Sequence, residues 1–173
     1  MKIVVLNGSP NVNGNTAAMA DAFAKGAKEA GHDVSVINVG TMRINGCRAC
    51  GWCRGAGAGK CVQQDDMQKV YPQIADAEMF VFASPVYYFT MSAQLQAAIN
   101  RFYVWGKHPT MKKCAMLLSS YSPNVYDGAL GQYRGMLRWF GAEDCGVVTS
   151  DNTTNKTPAK LEECYALGKG LKS

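Results

Sequence analysis

Four of the chain's seven cysteines fall in one short stretch, Cys47-Arg-Ala-Cys50-Gly-Trp-Cys53, with Cys61 following after seven more residues. Gaps of two residues bring three thiolates within reach of one metal centre, and the glycines at 55, 57 and 59 let Cys61 close the set. Iron–sulfur clusters are held by four thiolates, and bacterial ferredoxins use the same tight spacing. Structural zinc also accepts four thiolates, but usually from two separated Cys-x-x-Cys pairs. Thiol redox chemistry with no metal is the third reading, and spacing alone leaves all three open. The remaining cysteines, Cys114, Cys145 and Cys164, fall on expected strands and a helix stripe, where a free thiol packs as a small hydrophobe.

A second chemistry-bearing stretch is Asn7-Gly8-Ser9-Pro10-Asn11-Val12-Asn13-Gly14-Asn15-Thr16. Ser9, Asn11, Asn15 and Thr16 are uncharged donors between an expected strand and an expected helix. A helix N-terminus adds free backbone N–H groups and a positive dipole end, so the loop suits an anion such as phosphate. It is not a P-loop, because Asn15 stands where the lysine would be and the glycine spacing is one residue too long. It is not the G-x-G-x-x-G dinucleotide turn either. A well-capped strand–helix turn with no ligand uses the same residue types.

Two further loops carry suitable groups. Ser84-Pro85-Val86-Tyr87-Tyr88-Phe89 would offer a planar ring a rigid turn and an aromatic wall, although such aromatics also serve cores and subunit contacts. Ser119-Ser120-Tyr121-Ser122 is again small and polar. The two histidines, His32 and His108, lie in expected loops and read as ordinary surface residues, with no serine or carboxylate pattern suggesting a triad.

The elements that must position these groups alternate strand and helix. Apolar β-branched runs at 2–7, 33–39, 79–84, 114–119 and 145–149 read as buried parallel strands. Between them, Met19, Phe23, Ala27 and Ala30 recur at helical spacing and Gly31 stops the helix. Leu95, Ile99 and Phe102 form a stripe that Thr90 or Ser92 can cap; Leu130, Tyr133, Leu137 and Phe140 form another that Gly141 ends. Thr157-Pro158 opens the last helix, whose Leu161, Cys164 and Leu171 would face the core. The expected fold is α/β: a doubly wound, five-stranded parallel sheet in three layers, forming one domain over residues 1–173. The four cysteines ride on an irregular crossover at about 40–77, where Pro72 should kink or shorten a helix. In such sheets the ligand crevice lies at the carboxyl ends of the strands, where all three polar loops emerge.

Composition narrows the class. At 173 residues the chain is long enough for one sizeable core, with 47% hydrophobic and 18% charged residues. The net charge of +5 is scattered, which disfavours nucleic-acid binding. No segment approaches a membrane span or a signal-peptide core, so a cytoplasmic location is expected, where clustered thiols serve metal or redox roles better than disulfides.

Together the loops resemble the flavodoxin-like NAD(P)H-dependent FMN reductase superfamily. The resemblance rests on Gly8-Ser9-Pro10 with Gly14-Asn15-Thr16, and on Ser84-Pro85-Val86-Tyr87 followed by Ser92-Ala93-Gln94-Leu95 and Arg101. The cysteine stretch with Asp65-Asp66-Met67 behind it is similar to the iron–sulfur flavoprotein branch. Asn100 stands where that superfamily usually has aspartate, Gln96 where it has lysine, and the gap before Cys61 is at the long end. The resemblance implies that Ser9, Asn11, Gly14, Asn15 and Thr16 hold the FMN phosphate, and that Pro85, Val86, Tyr87, Tyr88 and Phe89 line the isoalloxazine ring. It implies that Ser119, Ser120 and Tyr121 support the other side, and that Cys47, Cys50, Cys53 and Cys61 bind a 4Fe-4S cluster. NAD(P)H or a ferredoxin-type donor would supply electrons to a small acceptor, in a homodimer or homotetramer. The alternatives are an FMN reductase with no assembled cluster and a non-enzymatic FMN electron carrier; carriers of that type are generally acidic, which this chain is not.

Overall fold

The computed structural model describes residues 1–172. Its sheet has the order β2-β1-β3-β5-β6, all parallel, formed by β1 (Lys2–Asn7), β2 (Asp33–Ile37), β3 (Met79–Tyr87), β5 (Lys113–Ser119) and β6 (Glu143–Ser150). A sixth strand missing from the sequence reading, β4 (Thr90–Met91), pairs antiparallel with the end of β3. The expected third strand stopped at residue 84; β3 runs three residues further, through Pro85, and turns back on itself.

The central strands β1, β3 and β5 are mostly apolar because both faces are covered, whereas the edge strands β2 and β6 are only partly buried. In β1, Val4 and Leu6 join one core, while Ile3 and Val5 join the other. In β3, Phe80 and Phe82 go with the first set, Met79, Val81 and Ala83 with the second. The first core is covered by α2 (Met67–Ile74), α3 (Ala93–Asn100) and α4 (Asp127–Phe140), the second by α1 (Asn15–Glu29) and α5 (Pro158–Lys169). This is the three-layer, flavodoxin-like α/β architecture.

Local chemistry fixes the ends. Ser92 caps α3 by accepting the Leu95 N–H, Thr157 caps α5 with Pro158 at its first position, and Gly141 ends α4 at φ 69°. The Pro72-bearing helix α2 is only eight residues long. Helices α1 and α5 pack at backbone distance: a Cβ on Gly26 would overlap the Tyr165 carbonyl, and one on Gly168 the Phe23 carbonyl.

Both histidines depart from the expectation of surface residues. His32 is buried between the chain's amino terminus and the Leu171 carbonyl. His108 is buried in an aromatic cage of Phe80, Phe102 and Trp105, and burial lowers its pKa from the usual histidine value. Burial pushes the Cys114 and Cys164 thiols up to about 12, as inert core groups require, whereas Cys145 is only half-buried.

Candidate functional site

The first loop is organised by its own side chains. Asn7 Oδ1 accepts the Ser9 N–H at 3.0 Å, and its amide donates to Asn38 Oδ1 at 2.9 Å. Ser9 Oγ accepts the Asn11 N–H at 3.1 Å and donates to the Asn11 carbonyl at 3.0 Å. Gly14 then supplies an extended N-cap to α1 with no side chain capping it. The first-turn N–H groups of this fifteen-residue helix therefore have no side-chain partner at the cap, and a polar or anionic guest can satisfy them. Thr16 is buried and shares a 2.7 Å hydrogen bond with Ser119 Oγ, which ties the loop after β1 to the end of β5.

Beside this helix end opens a cavity of about 260 Å³, lined by Asn15, Pro85, Val86, Tyr87, Ser119, Ser120, Tyr121 and Asn155. Seven of these eight are residues read from the sequence, so the strand-end rule brings the three loops to one crevice. Ser9, Asn11 and Gly14 in the adjoining loop, and Thr16 in the first turn of α1, do not line the cavity. Tyr88 and Phe89 do not line it either. They form the two-residue turn between β3 and β4, at φ 46° and 68°, where glycine or asparagine is usual. A left-handed conformation costs a bulky residue about 1–2 kcal/mol. The turn is held in place because the Phe89 carbonyl accepts the Ala129 N–H of α4 at 2.8 Å. Tyr88 is 96% exposed there.

Three residues at the site escaped the sequence reading. Asn155 joins the crevice wall and donates to the Ser120 carbonyl at 2.9 Å. Lys156 Nζ donates to the Asn13 carbonyl at 2.7 Å and so places a cation beside the first loop. Both belong to the loop after the fifth parallel strand, which the carboxyl-edge rule would have flagged. Gly40 backs directly onto the Ser9 carbonyl, where a Cβ would overlap it, and no local signal marks that contact.

The crossover carries the second candidate centre. Cys47, Cys50, Cys53 and Cys61 line one small cavity of about 20 Å³ together with Arg48, Trp52, Arg101 and their neighbours. Among the described residues, no group of three or more His, Cys, Asp or Glu side chains is gathered closely enough to hold a metal ion. The four thiols thus share a cavity without forming a single-ion site, and a Cβ at Gly51, Gly55 or Gly59 would meet nothing. The base of the loop is clamped. Asp65 accepts the N–H groups of Asn45 at 3.0 Å and Met67 at 3.1 Å, and Asp66 accepts that of Arg43 at 2.9 Å. Arg101, 1% exposed, donates through Nη1 to Asp65 at 2.6 Å and to the Asn45 carbonyl at 2.9 Å. Burial alone would raise the Asp65 carboxyl, but the Arg101 and Asn45 hydrogen bonds prevail and hold it below the usual carboxylate value. Tyr71 donates to the Arg101 carbonyl at 3.2 Å, and burial pushes its phenol up to about 12.

Fold and crevice define a flavodoxin-like protein with a candidate ligand crevice at the sheet's carboxyl edge. Residues 1–153 match the family described as NADPH-dependent FMN reductase, and the chain belongs to that family. Among curated proteins, it is 37% identical over 112 residues to an iron-sulfur flavoprotein of Archaeoglobus fulgidus, an alignment covering 65% of this chain and 50% of that one. It is 34% identical over 101 residues to an iron-sulfur flavoprotein of Methanosarcina thermophila, covering 58% and 52% respectively. The aligned part thus spans about half the length of these relatives. Among solved structures, the NAD(P)H:quinone oxidoreductase from Methanothermobacter marburgensis superposes with a TM-score of 0.72 at 18% identity, over 100% of this chain and 96% of that one. An azoreductase from Bacillus anthracis str. Sterne gives 0.74 at 18% identity, covering 99% and 100%. These two likenesses are of fold.

Proposed function

We propose that this protein is an FMN-dependent oxidoreductase, a single domain over residues 1–173 that moves electrons from NAD(P)H or a ferredoxin-type donor to a small acceptor such as a quinone or free flavin. The observation that carries the reading is the uncapped N-terminus of α1 opening beside a cavity walled by Pro85, Val86, Tyr87, Ser119, Ser120 and Tyr121. These residues fit FMN. Ser9, Asn11, Gly14, Asn15 and Thr16 bind the phosphate through hydroxyls, amides and helix N–H groups, with no lysine among them. A Cβ on Gly14 would come within 3.0 Å of the Asn11 carbonyl, so the loop is folded as tightly as such a cradle needs. Pro85, Val86 and Tyr87 flank the ring, the Tyr88–Phe89 turn borders the crevice mouth, and Ser119, Ser120 and Tyr121 close the opposite side. When bound, FMN supplies the hydride and one-electron chemistry; the protein binds, orients and tunes it. The exposed aromatics Tyr87, Tyr88, Phe89 and Tyr121 suit a homodimer or homotetramer contact at the site's rim.

Cys47, Cys50, Cys53 and Cys61 bind a 4Fe-4S cluster in this reading. Their all-thiol donor set has the required softness, a buried cation shares their cavity, and relatives at 34–37% identity are named iron-sulfur flavoproteins. The second reading, an FMN reductase with no assembled cluster, draws on the separation of the four thiols. The test of enzymatic function is anaerobic oxidation of NADPH by the purified protein with a quinone in excess. Many equivalents consumed per flavin are expected. Uptake that stops at one equivalent, with NADH or a reduced ferredoxin no better, would make the protein a carrier.

A further inference from the structure

Arg101 is a fully buried cation whose bonding is half complete. Its Nη1 is engaged by Asp65 and the Asn45 carbonyl, while among the described residues Nε and Nη2 have no partner. Leaving buried charged donors unmet forfeits their hydration with nothing in return. The free Nε–Nη2 edge is also the fork of a guanidinium that meets paired acceptors side-on. Arg101 stands in the wall of the cavity that the four cysteines line, and Cys61 is near enough to act on its charge. Among the described residues, no carboxylate other than Asp65 is paired with it.

The position is set from two directions. Arg101 directly follows α3, whose first turn is capped by Ser92; the same hydroxyl donates to the Gly8 carbonyl of the first loop at 2.8 Å. Eight helical residues, about 12 Å of rise, thus connect the two candidate centres. From the other side, Asp65 grips the chain both before Cys47, at Asn45, and after Cys61, at Met67.

We propose that Arg101 is the positioning and charge-compensating residue of the four-cysteine centre, its free Nε–Nη2 edge donating to the sulfur atoms there and its charge set against the negative charge of a thiolate-bound cluster. This rests on the cluster reading given above. Asp65 acts through Arg101: it orients the guanidinium and offsets part of its charge. Hydrogen bonds to cluster sulfurs and nearby positive charge favour the reduced, more negative state. The two residues therefore pull the cluster's reduction potential in opposite directions.

The experiment compares the full-length protein with Arg101→Met, Arg101→Lys and Asp65→Asn, all purified without oxygen. Iron and sulfide are assayed first, and the cluster is then titrated against potential by electron paramagnetic resonance. Arg101→Met is expected to lower the reduced fraction of the cluster tenfold or more at a fixed potential. Arg101→Lys should recover most of that loss, and Asp65→Asn should raise the reduced fraction. General damage to the fold would not produce two shifts of opposite sign. A cluster assembled in all four proteins with unchanged titrations would overturn the proposal and leave the cluster reading standing. Shifts of the same sign in Arg101→Met and Asp65→Asn would overturn it too. Should Arg101→Met fail to fold, the Lys and Asn variants still decide the matter. An unmodified chain that takes up no iron would defeat the cluster reading itself, and the proposal with it.

Discussion

At the scale of single residues, the site depends on close backbone approaches as much as on donors. Gly40 lies against the Ser9 carbonyl, and Gly8 against Leu95 and Ser92. Adding a methyl group at position 40 must displace the first loop, because the obstacle is backbone and cannot rotate away. Overpacking of this kind costs about 1–3 kcal/mol. Gly40→Ala is therefore expected to weaken FMN binding about tenfold or more while the chain still folds, as measured by flavin fluorescence on titration of the apoprotein. Wild-type affinity in that variant would show that the Ser9 backbone does not position the phosphate.

The residues that sequence made legible are those whose role is local. Ser92 and Thr157 cap helices, Gly141 ends one, and Asn15 with the Pro85 and Ser119 loops reaches one crevice because strand ends must meet there. His32 and His108 were illegible because what buries them is remote in the chain. Leu171 covers one, and Phe80 together with Phe102 and Trp105 encloses the other. The same holds for Arg101, whose partner Asp65 lies 36 positions away. The four thiols are legible as a set, yet the spacing that should bring three of them within reach of one metal ion does not do so among the described residues, where they share a cavity without forming a single-ion site.

At the scale of elements, β3 and α4 are the telling cases. The apolar pattern marked β3 but not its extension through Pro85, because the tight turn it ends in uses Tyr88 and Phe89 where turn chemistry calls for glycine or asparagine. Tertiary support overrides local preference there: the Phe89 carbonyl is bonded to α4, and Gly128 leaves the room for it. Helix α4 contains a glycine with no such duty. Gly131 is exposed, and a Cβ there would meet nothing. Replacing it with alanine removes backbone entropy from the unfolded chain at no steric cost. Gly131→Ala should stabilise the protein by about 0.5–1 kcal/mol, read as a higher denaturant midpoint with unchanged slope. A loss of stability would mean that this face of α4 is covered in the assembled protein.

At the scale of the whole molecule, the doubly wound sheet decides where chemistry can occur. Its carboxyl edge collects the loops after β1, β3, β5 and β6, and α3 runs from the first of these to the cysteine crossover. No helix among the described residues is long and apolar enough to cross a membrane. On the proposed function, the crevice at this edge is the flavin centre and the four cysteines are an accessory in a crossover, proposed to set how many electrons move at a time. The most direct test is the absorption spectrum of protein purified without oxygen, with iron, acid-labile sulfide and FMN assayed on the same sample. The account predicts flavin bands with one FMN per chain, over a broad iron–sulfur shoulder with about four irons. Iron and sulfide in a protein that neither retains nor rebinds FMN would contradict it.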